Sequence, residues 1–494
     1  MSEFIQQVLA ALRADGIRAH VVGGAVRDLL LGRASKDFDL AVPGPSRPVA
    51  EALAARLRAH LVTMDEQRGH YRVVAAGGAD WADIGSDNGD LVADLTRRDF
   101  TVNAMAVPVE RWPDDTRVSP EEARNAVVDP VGGQADLKSK TLRAISEQNL
   151  KADPVRLVRA ARIANQLRFK MDPATRAMVR ANVPLLGQAA PERLRDEFYA
   201  IFANSNAEGG VRLLDALGLL SALIPELDEA RGVEQPRAHH YWDVFEHLVH
   251  ATGKAEAVLD KRSRDTDPFL RLVPVRPETD SYFQETVADG QSRATLLKIA
   301  AILHDVAKPR CKSLDTAGRI RFFGHQEMGE EMARDILGRL RCSRKAIWHV
   351  STMVRHHLRP SQAAPVDNGG PPSTRAIHRF WRDLEGVAAD TLFLAMADYF
   401  AARGPEIDLP GWSQFAGMIG VILSDGFVTP GASKPFLLLD GNEIMAEFGL
   451  RPGPRVGQLL EALREAEALG QVQDRGQGLD HLRRIMRAPP SDHG

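Results

Sequence analysis

The opening stretch MSEFIQQVLAALRADG places apolar and polar residues at helical spacing and predicts an amphipathic helix. From residue 19 the pattern changes. AHVV, a Gly-Gly turn, AVRDLLL, a loop and DFDLAV read as strand, turn, short helix, loop and strand. Residues 49–60 are helical in pattern, and YRVVAA at 71–76 is a strand. Strands and helices thus alternate to about residue 135, as in a small α/β or α+β domain. Between about 150 and 230 the spacing is helical, with Val158, Ala161, Ala164 and Leu167 on one face, and again through 193–203 and 211–220. A Pro/Asp/Arg-rich stretch at about 261–292 predicts an exposed insertion or linker. Helical patterns resume at 293–308, 325–340 and 343–357. PVDNGGPPS at 365–373 is expected to be a mobile loop, and helices over 375–402 and 455–469 close the chain, with a Pro/Gly-rich connector around 451–457. There is no internal repeat.

Composition changes this picture little. The chain has 494 residues, 44% of them hydrophobic and 26% charged, which fits two to four ordinary globular domains. The net charge of −3 excludes capture of nucleic acid by a global basic surplus and leaves room for a local basic face. Cys311 and Cys342 are too few for a disulfide framework or a thiolate zinc site and fit a reducing cytoplasm. The N-terminus lacks the basic, apolar and small-residue regions of a signal peptide, and no apolar run is long enough to span a membrane. The expectation is a cytoplasmic protein with no membrane partner.

The candidate chemistry is concentrated in the first 160 residues. Gly23-Gly24 follows the strand AHVV and opens a helix, where close backbone approach and free amides suit a phosphate. Arg27, one turn on, adds a charge-assisted contact. Taken alone, this is equally a tight turn beside a solvated arginine. In Asp37-Phe38-Asp39, residues two apart on a strand share a face, so both carboxylates can converge. Two close carboxylates need a cation, and magnesium is the hard, oxygen-preferring ion for the task. Two such ions activate an attacking hydroxyl and stabilise leaving pyrophosphate. Arg97, Arg98, Asp99 and Asn103 offer phosphate donors and groups that bond a ribose hydroxyl, although a solvated charged turn reads the same way. Asp153 before Pro154 is a sufficient helix cap. Asp153 and Arg156, three apart on one helical face, also present an acceptor and donors to a nucleobase edge. Arg159, Arg162, Arg168 and Lys170 extend that helix as the clearest local basic face, suited to an RNA backbone.

In order along the chain, GGAVRD with LLLG and DFDLAV, RRDFTVNAMA, DPVGGQADL (129–137), ADPVRLVRAARIANQLRF (152–169) and PERLRDEFYAIF (191–202) resemble the class II tRNA nucleotidyltransferase and bacterial poly(A) polymerase family. The resemblance covers roughly residues 19–230. It implies a polymerase-β-like nucleotidyltransferase head with Asp37 and Asp39 as catalytic Mg2+ ligands and Asp83 as a third carboxylate. It implies that Gly23, Gly24 and Arg27 contact the triphosphate, and that Arg97, Arg98 and Asp99 hold phosphate and ribose. Asp153 and Arg156 would then select C and A, because G and U would leave donors or acceptors unpaired. The family's usual Glu before that Asp is Ala152 here. LVTMDEQRGHYRVV (61–74) resembles the tRNA type, and no arginine-rich poly(A) signature follows it. The short IGSDNGDLVADLT (84–96) resembles CC-adding members, so CC against CCA stays open, with CCA favoured.

In the second half, His247 in HYWDVFEHLVHA, His304-Asp305 in LKIAAILHDVAKPR and Asp398 in LFLAMADYF resemble the HD phosphohydrolase superfamily. Histidines and carboxylates together suit a divalent transition metal, and His-Asp in an apolar run is expensive unless paired or metal-bound. Lys308, His325 and His356 or His357 are further candidates. The expected architecture is α+β: a nucleotidyltransferase head over 1–140, a helical neck over 141–235, an HD domain over 236–403 and a C-terminal helical region over 404–494, the last contributing RNA contacts or a homodimer surface. The expected function is CCA addition to tRNA from CTP and ATP. CC-adding, A-adding and poly(A) enzymes are the alternatives within the family. An HD phosphohydrolase with an RNA-binding N-terminal domain, or a non-catalytic RNA-binding protein, are the alternatives outside it.

Overall fold

The computed structural model describes residues 1–494 except 36, 79, 114–119, 363–371, 427–437, 469 and 488–494. It divides into two compact units, Met1–Pro225 and Glu226–Gly494. The architecture is α+β, as expected.

The first unit is built on a six-stranded sheet of β1 (His20–Val22), β2 (Asp39–Val42), β3 (His60–Asp65), β4 (His70–Val74), β5 (Trp81–Ser86) and β6 (Ala106–Pro108). The strand order is β3-β4-β5-β2-β1-β6, with β2 and β5 parallel and the other neighbours antiparallel. Val21, Val22, Leu40, Ala41 and Val42 are buried, so the sheet centre is short and apolar. Three helices accompany the sheet: α1 (Glu3–Ala14), α2 (Gly24–Leu30) and α3 (Ser46–Leu57). Ser2 caps α1, which buries Phe4, Ile5, Val8, Leu9 and Leu12. Arg13, in its last turn, donates to the carbonyls of Val109 and Trp112, tying the helix to the chain that follows β6.

Beyond the sheet come α4 (Val155–Leu167) and α5 (Pro191–Ala203), which pack on each other. Val158, Ala161, Ala164 and Leu167 are buried, in agreement with the helical spacing. The helix expected over 211–220 is two helices, Ala207–Ala216 and Leu219–Leu223, because Gly218 adopts φ +76° and ends the first.

The second unit is helical. Its centre comprises α6 (Val244–Leu259), α7 (Arg293–Leu303), α8 (His325–Arg339), α9 (Arg344–His356) and α10 (Ala388–Arg403). Every residue of α7 from Thr295 to Leu303 is buried, and α10 is apolar nearly all round, as expected of interior helices. The stretch 261–292 is not the exposed linker its composition predicts. It folds into helices Lys261–Thr266 and Thr279–Gln284 and a hairpin, Thr286–Ala288 with Gln291–Ser292. Buried Arg264 donates to the carbonyls of Val258 and Leu259 and to Asp280, so the polar composition there is internally bonded. The helix expected over 375–402 breaks into Thr374–Asp383 and α10, with Gly386 at φ +90° between them. The expected loop at 365–373 lies, but for its last two residues, outside the described residues. Helices Gly441–Phe448, Pro454–Ala468 and Arg475–Arg487 close a small core around Ile444, Leu459, Leu463 and Leu482. Among the described residues no helix is long and apolar enough to cross a membrane.

Candidate functional site

The first candidate site lies where β1 ends, α2 begins and β2 opens. Gly23 caps α2 at φ +75°, a left-handed conformation that favours glycine. A Cβ there would stand 2.9 Å from Arg98 Nη1 and 3.1 Å from Asp39 Oδ2. The glycine is therefore required twice, by the turn and by the space it leaves beside a carboxylate and a guanidinium. Strand β2 starts only at Asp39, and Asp37 precedes it, so strand alternation is not what places the two carboxylates. Instead buried Phe38 packs edge-on against Trp112 at 5.4 Å, which leaves Asp37 exposed and Asp39 half-buried. Asp39 and Asp83 are register partners on the parallel strands β2 and β5. Burial raises the Asp39 carboxyl above its ordinary value, Arg98 opposes this, and Asp83 and Asp37 add repulsion. Both Asp83 oxygens accept from Arg72, at 2.7 Å each.

Arg27 is buried rather than projecting. It donates to Asn103 Oδ1 at 2.8 Å and to both oxygens of Asp28. Asn103 donates in turn to Asp99 at 3.1 Å. Asp99 is buried and also accepts from the Phe100 amide and from Arg159 Nη1 at 3.2 Å. Burial works against its charge, yet Arg159, Asn103 and Arg156 outweigh burial and hold its carboxyl below the ordinary value. Arg98 pairs with Asp94 at 3.2 Å, and Arg97 is exposed.

Asp153 and Arg156 sit at the start of α4, their side chains 3.7 Å apart. Asp153 is clamped by Arg193 from α5, with Nη1 on Oδ1 at 2.9 Å and Nη2 on Oδ2 at 2.7 Å. Arg156 Nη1 donates to the carbonyls of Arg97 and Asn149, while its buried Nε has no hydrogen-bond partner. With Ala152 in place of a glutamate, backbone carbonyls hold this guanidinium. Arg159 and Arg162 do not form an open basic face. Both bond Glu197 of α5, at 2.6 and 2.5 Å, and so tie α4 to α5, while Arg159 also braces Asp99. Arg193, Glu197 and Arg72 were not among the expected site residues. Arg193 and Glu197 are one turn apart in PERLRDEFYAIF, and that i, i+4 spacing was the available signal.

The second unit holds the other candidate site. His247 on α6, His304 and Asp305 just past α7, and Asp398 on α10 form one group able to hold a metal ion. His247 Nε2 lies 3.1 Å from His304 Nε2, 3.3 Å from Asp305 Oδ2 and 3.2 Å from Asp398 Oδ1. Burial disfavours charge on His304, but the two carboxylates prevail and raise its imidazolium to about 10. Burial likewise disfavours charge on Asp305 and Asp398. Lys308 and His304 hold the first well below its ordinary value, and His247 and His304 the second. Lys308 donates to Asp305 at 2.6 Å and to Gln235 at 2.7 Å. His325 and His357 also face Asp305; His356 does not join the group.

Three family models match the chain: a poly A polymerase head domain over 19–143, a probable RNA and SrmB-binding site of polymerase A over 168–231, and an HD domain over 277–403. His247 lies outside the last span, and the geometry alone joins it to His304. The chain is 39% identical over 462 residues to an A-adding tRNA nucleotidyltransferase of Deinococcus radiodurans, covering 92% of each protein. It is 33% identical to a CC-adding tRNA nucleotidyltransferase of Thermus thermophilus, covering 92% of this chain and 90% of that one. A solved CCA-adding enzyme in complex with ATP shares the fold, with a TM-score of 0.58 at 18% identity over 100% of this chain and 97% of that one. Motifs, fold and full-length similarity agree: the chain belongs to the tRNA nucleotidyltransferase family.

Proposed function

We propose that this enzyme adds C and A to the 3′ end of tRNA from CTP and ATP, releasing pyrophosphate. The observation that supports this best is the arrangement of Gly23, Asp39 and Arg98, which brings a carboxylate and a guanidinium against the glycine turn that opens α2 so closely that a Cβ would clash with both. The donor set fits magnesium: hard carboxylate oxygens, with Asp39 raised by burial and by its acidic neighbours in a way a divalent cation would relieve. Asp37 and Asp39 would hold the ions. When bound, magnesium supplies charge neutralisation for the triphosphate and a more acidic 3′-hydroxyl. The hydroxyl oxygen forms the new bond to the α-phosphorus as the bond to pyrophosphate breaks. Asp153 accepts from the exocyclic amino group common to C and A, and Arg156 donates to the ring nitrogen beside it. Arg98 lies beside the phosphates, and Asp99, held by Asn103 and Arg159, faces the ribose.

A second reading, addition of only part of the tail, is favoured by the names of the full-length relatives, A-adding at 39% identity and CC-adding at 33%. Helix Leu91–Thr96 also occupies the short segment between Asp83 and Arg97. The test incubates the full chain with tRNAs lacking one, two or three of the terminal CCA nucleotides and each labelled nucleotide separately. Incorporation of both C and A supports the first reading, and C alone or A alone supports the second. Incorporation surviving Asp37→Ala with Asp39→Ala overturns both.

His247, His304, Asp305 and Asp398 would hold a divalent transition metal that, when bound, supplies hydroxide for phosphoester hydrolysis. Four ligand atoms within reach of one ion, three of them on buried residues, support this. His304→Ala should abolish phosphate release and leave nucleotide incorporation intact.

A further inference from the structure

Asp83 sits between two register partners, Arg72 on β4 and Asp39 on β2. Residues opposite one another project from the same face of a sheet, so the three side chains form one lateral row. A carboxylate in the middle of that row has two options: to share an ion with Asp39, or to pair with Arg72. It is bonded to Arg72, whose Nε donates to Oδ1 and Nη2 to Oδ2, each at 2.7 Å. One planar fork thus engages both oxygens, a strong form of charge-assisted pair.

The fork is also held from a second side. Trp81 precedes Asp83 by two residues on β5 and shares its face, and Arg72 Cζ lies 4.9 Å from the centre of the Trp81 ring. The bond to Asp83 is the main cause that holds the Arg72 guanidinium above its ordinary value, and the charges of Asp37 and Asp39 add to it. Arg98, the cation beside Asp39, is itself paired with Asp94 at 3.2 Å. The three carboxylates do not close on one point. Ligands about 2.1 Å from Mg2+ stand at most about 4.2 Å apart. Among the described residues, the oxygens of Asp37, Asp39 and Asp83 do not all come within 4.8 Å of one another.

We propose that Arg72 keeps Asp83 out of the metal's coordination and so sets how tightly the transferase site binds a divalent ion. This rests on the reading of Asp37 and Asp39 as the ligands. Asp83 is then the counterion of Arg72, not the third catalytic carboxylate that the family resemblance implies. With two protein carboxylates rather than three, the remaining coordination falls to water and to triphosphate oxygens, a common arrangement for Mg2+. Arg72 is in this role a positioning residue, because it acts through Asp83.

The test titrates the full chain with Mn2+ in the absence of nucleotide and reads the free ion from its paramagnetic resonance signal. Only binding abolished by Asp37→Ala with Asp39→Ala is counted, which leaves out ions held elsewhere. Arg72→Met frees Asp83 to join the ion and should tighten this binding about tenfold or more, since affinity follows the number of charged ligands. Arg72→Lys should tighten it less, because an ammonium does not span both oxygens. Arg72→Met with Asp83→Asn removes the pair as a whole and should return the affinity to within about twofold of the parent. Unchanged or weaker binding in Arg72→Met overturns the proposal, and Arg72→Lys decides in the same way if Arg72→Met fails to fold. A double variant that binds about tenfold more weakly than the parent makes Asp83 a ligand already and overturns it too. If the parent shows no binding that depends on Asp37 and Asp39, the reading of those two residues falls, and the proposal with it.

Discussion

Arg193→Ala tests whether the clamp on Asp153 serves base selection. Arg193 reaches Asp153 from α5 with two nearly parallel bonds, at 2.9 and 2.7 Å, and burial of Asp153 would otherwise push its carboxyl up. Two charge-assisted bonds in a water-free site contribute about 1.5–3 kcal/mol each. The Arg193 side chain is 51% exposed, however. Solvent screening therefore reduces the expected contribution to about 1 kcal/mol, or roughly a fivefold change in a rate ratio. Without the fork, Asp153 samples rotamers that no longer present its acceptor to an amino group. The assay is single-turnover incorporation on tRNA with a shortened end, measuring kcat/KM for CTP, ATP, UTP and GTP. The cognate values should fall about fivefold and the non-cognate values less, so that discrimination narrows. Arg193→Lys should recover only part of the loss, because an ammonium cannot bridge both oxygens in the planar geometry of the fork. An unchanged cognate value would refute a positioning role. A raised cognate value would mean that Arg193 competes with the base for Asp153, which refutes it equally.

Gly23→Ala places a Cβ 2.9 Å from Arg98 Nη1 and 3.1 Å from Asp39 Oδ2 at φ +75°. Incorporation should fall at least ~100-fold, while a strain of about 1–2 kcal/mol lowers the melting temperature by only a few degrees. Glu197→Gln removes the charge between Arg159 and Arg162, at 2.6 and 2.5 Å. Because both guanidinium groups keep some water, the expected loss is about 2 kcal/mol rather than the 3–5 of a fully buried pair, read from the denaturant midpoint. Asp99 and Asp153 both titrate below their ordinary values in the folded protein. A depressed folded value contributes stability above the unfolded value, near pH 4, and that contribution disappears as pH falls through the folded value. Stability measured from pH 6 down to pH 3 should therefore drop below about pH 4, and Asp99→Asn should flatten that limb; an unchanged slope refutes the assignment.

What the sequence disclosed follows from how far apart the interacting residues lie. Strand β1, the Gly23 turn and α4 were legible because their causes are local: an apolar run, a glycine at positive φ, and a 3.6-residue stripe. Asp37 and Asp39 lie close enough to repel each other, but strand alternation is not the cause, since β2 begins only at Asp39. Burial of Phe38 against Trp112, 74 residues on, sets the exposure of its neighbours, and no local pattern reports that contact. Arg159 and Arg162 looked like an RNA-facing stripe because their partner, Glu197, lies more than thirty residues away. A charged stripe on a helix is ambiguous until what packs against it is known. Polar composition misled at 261–292 for the same reason, since Arg264 satisfies carbonyls and Asp280 inside the fold. The HD group shows the limit most clearly. Adjacent His356 and His357 were indistinguishable in sequence, yet the chain leaves α9 so that only His357 faces Asp305. The direction of one side chain at a helix end thus decides which of two neighbouring histidines stands 3.5 Å from Asp305.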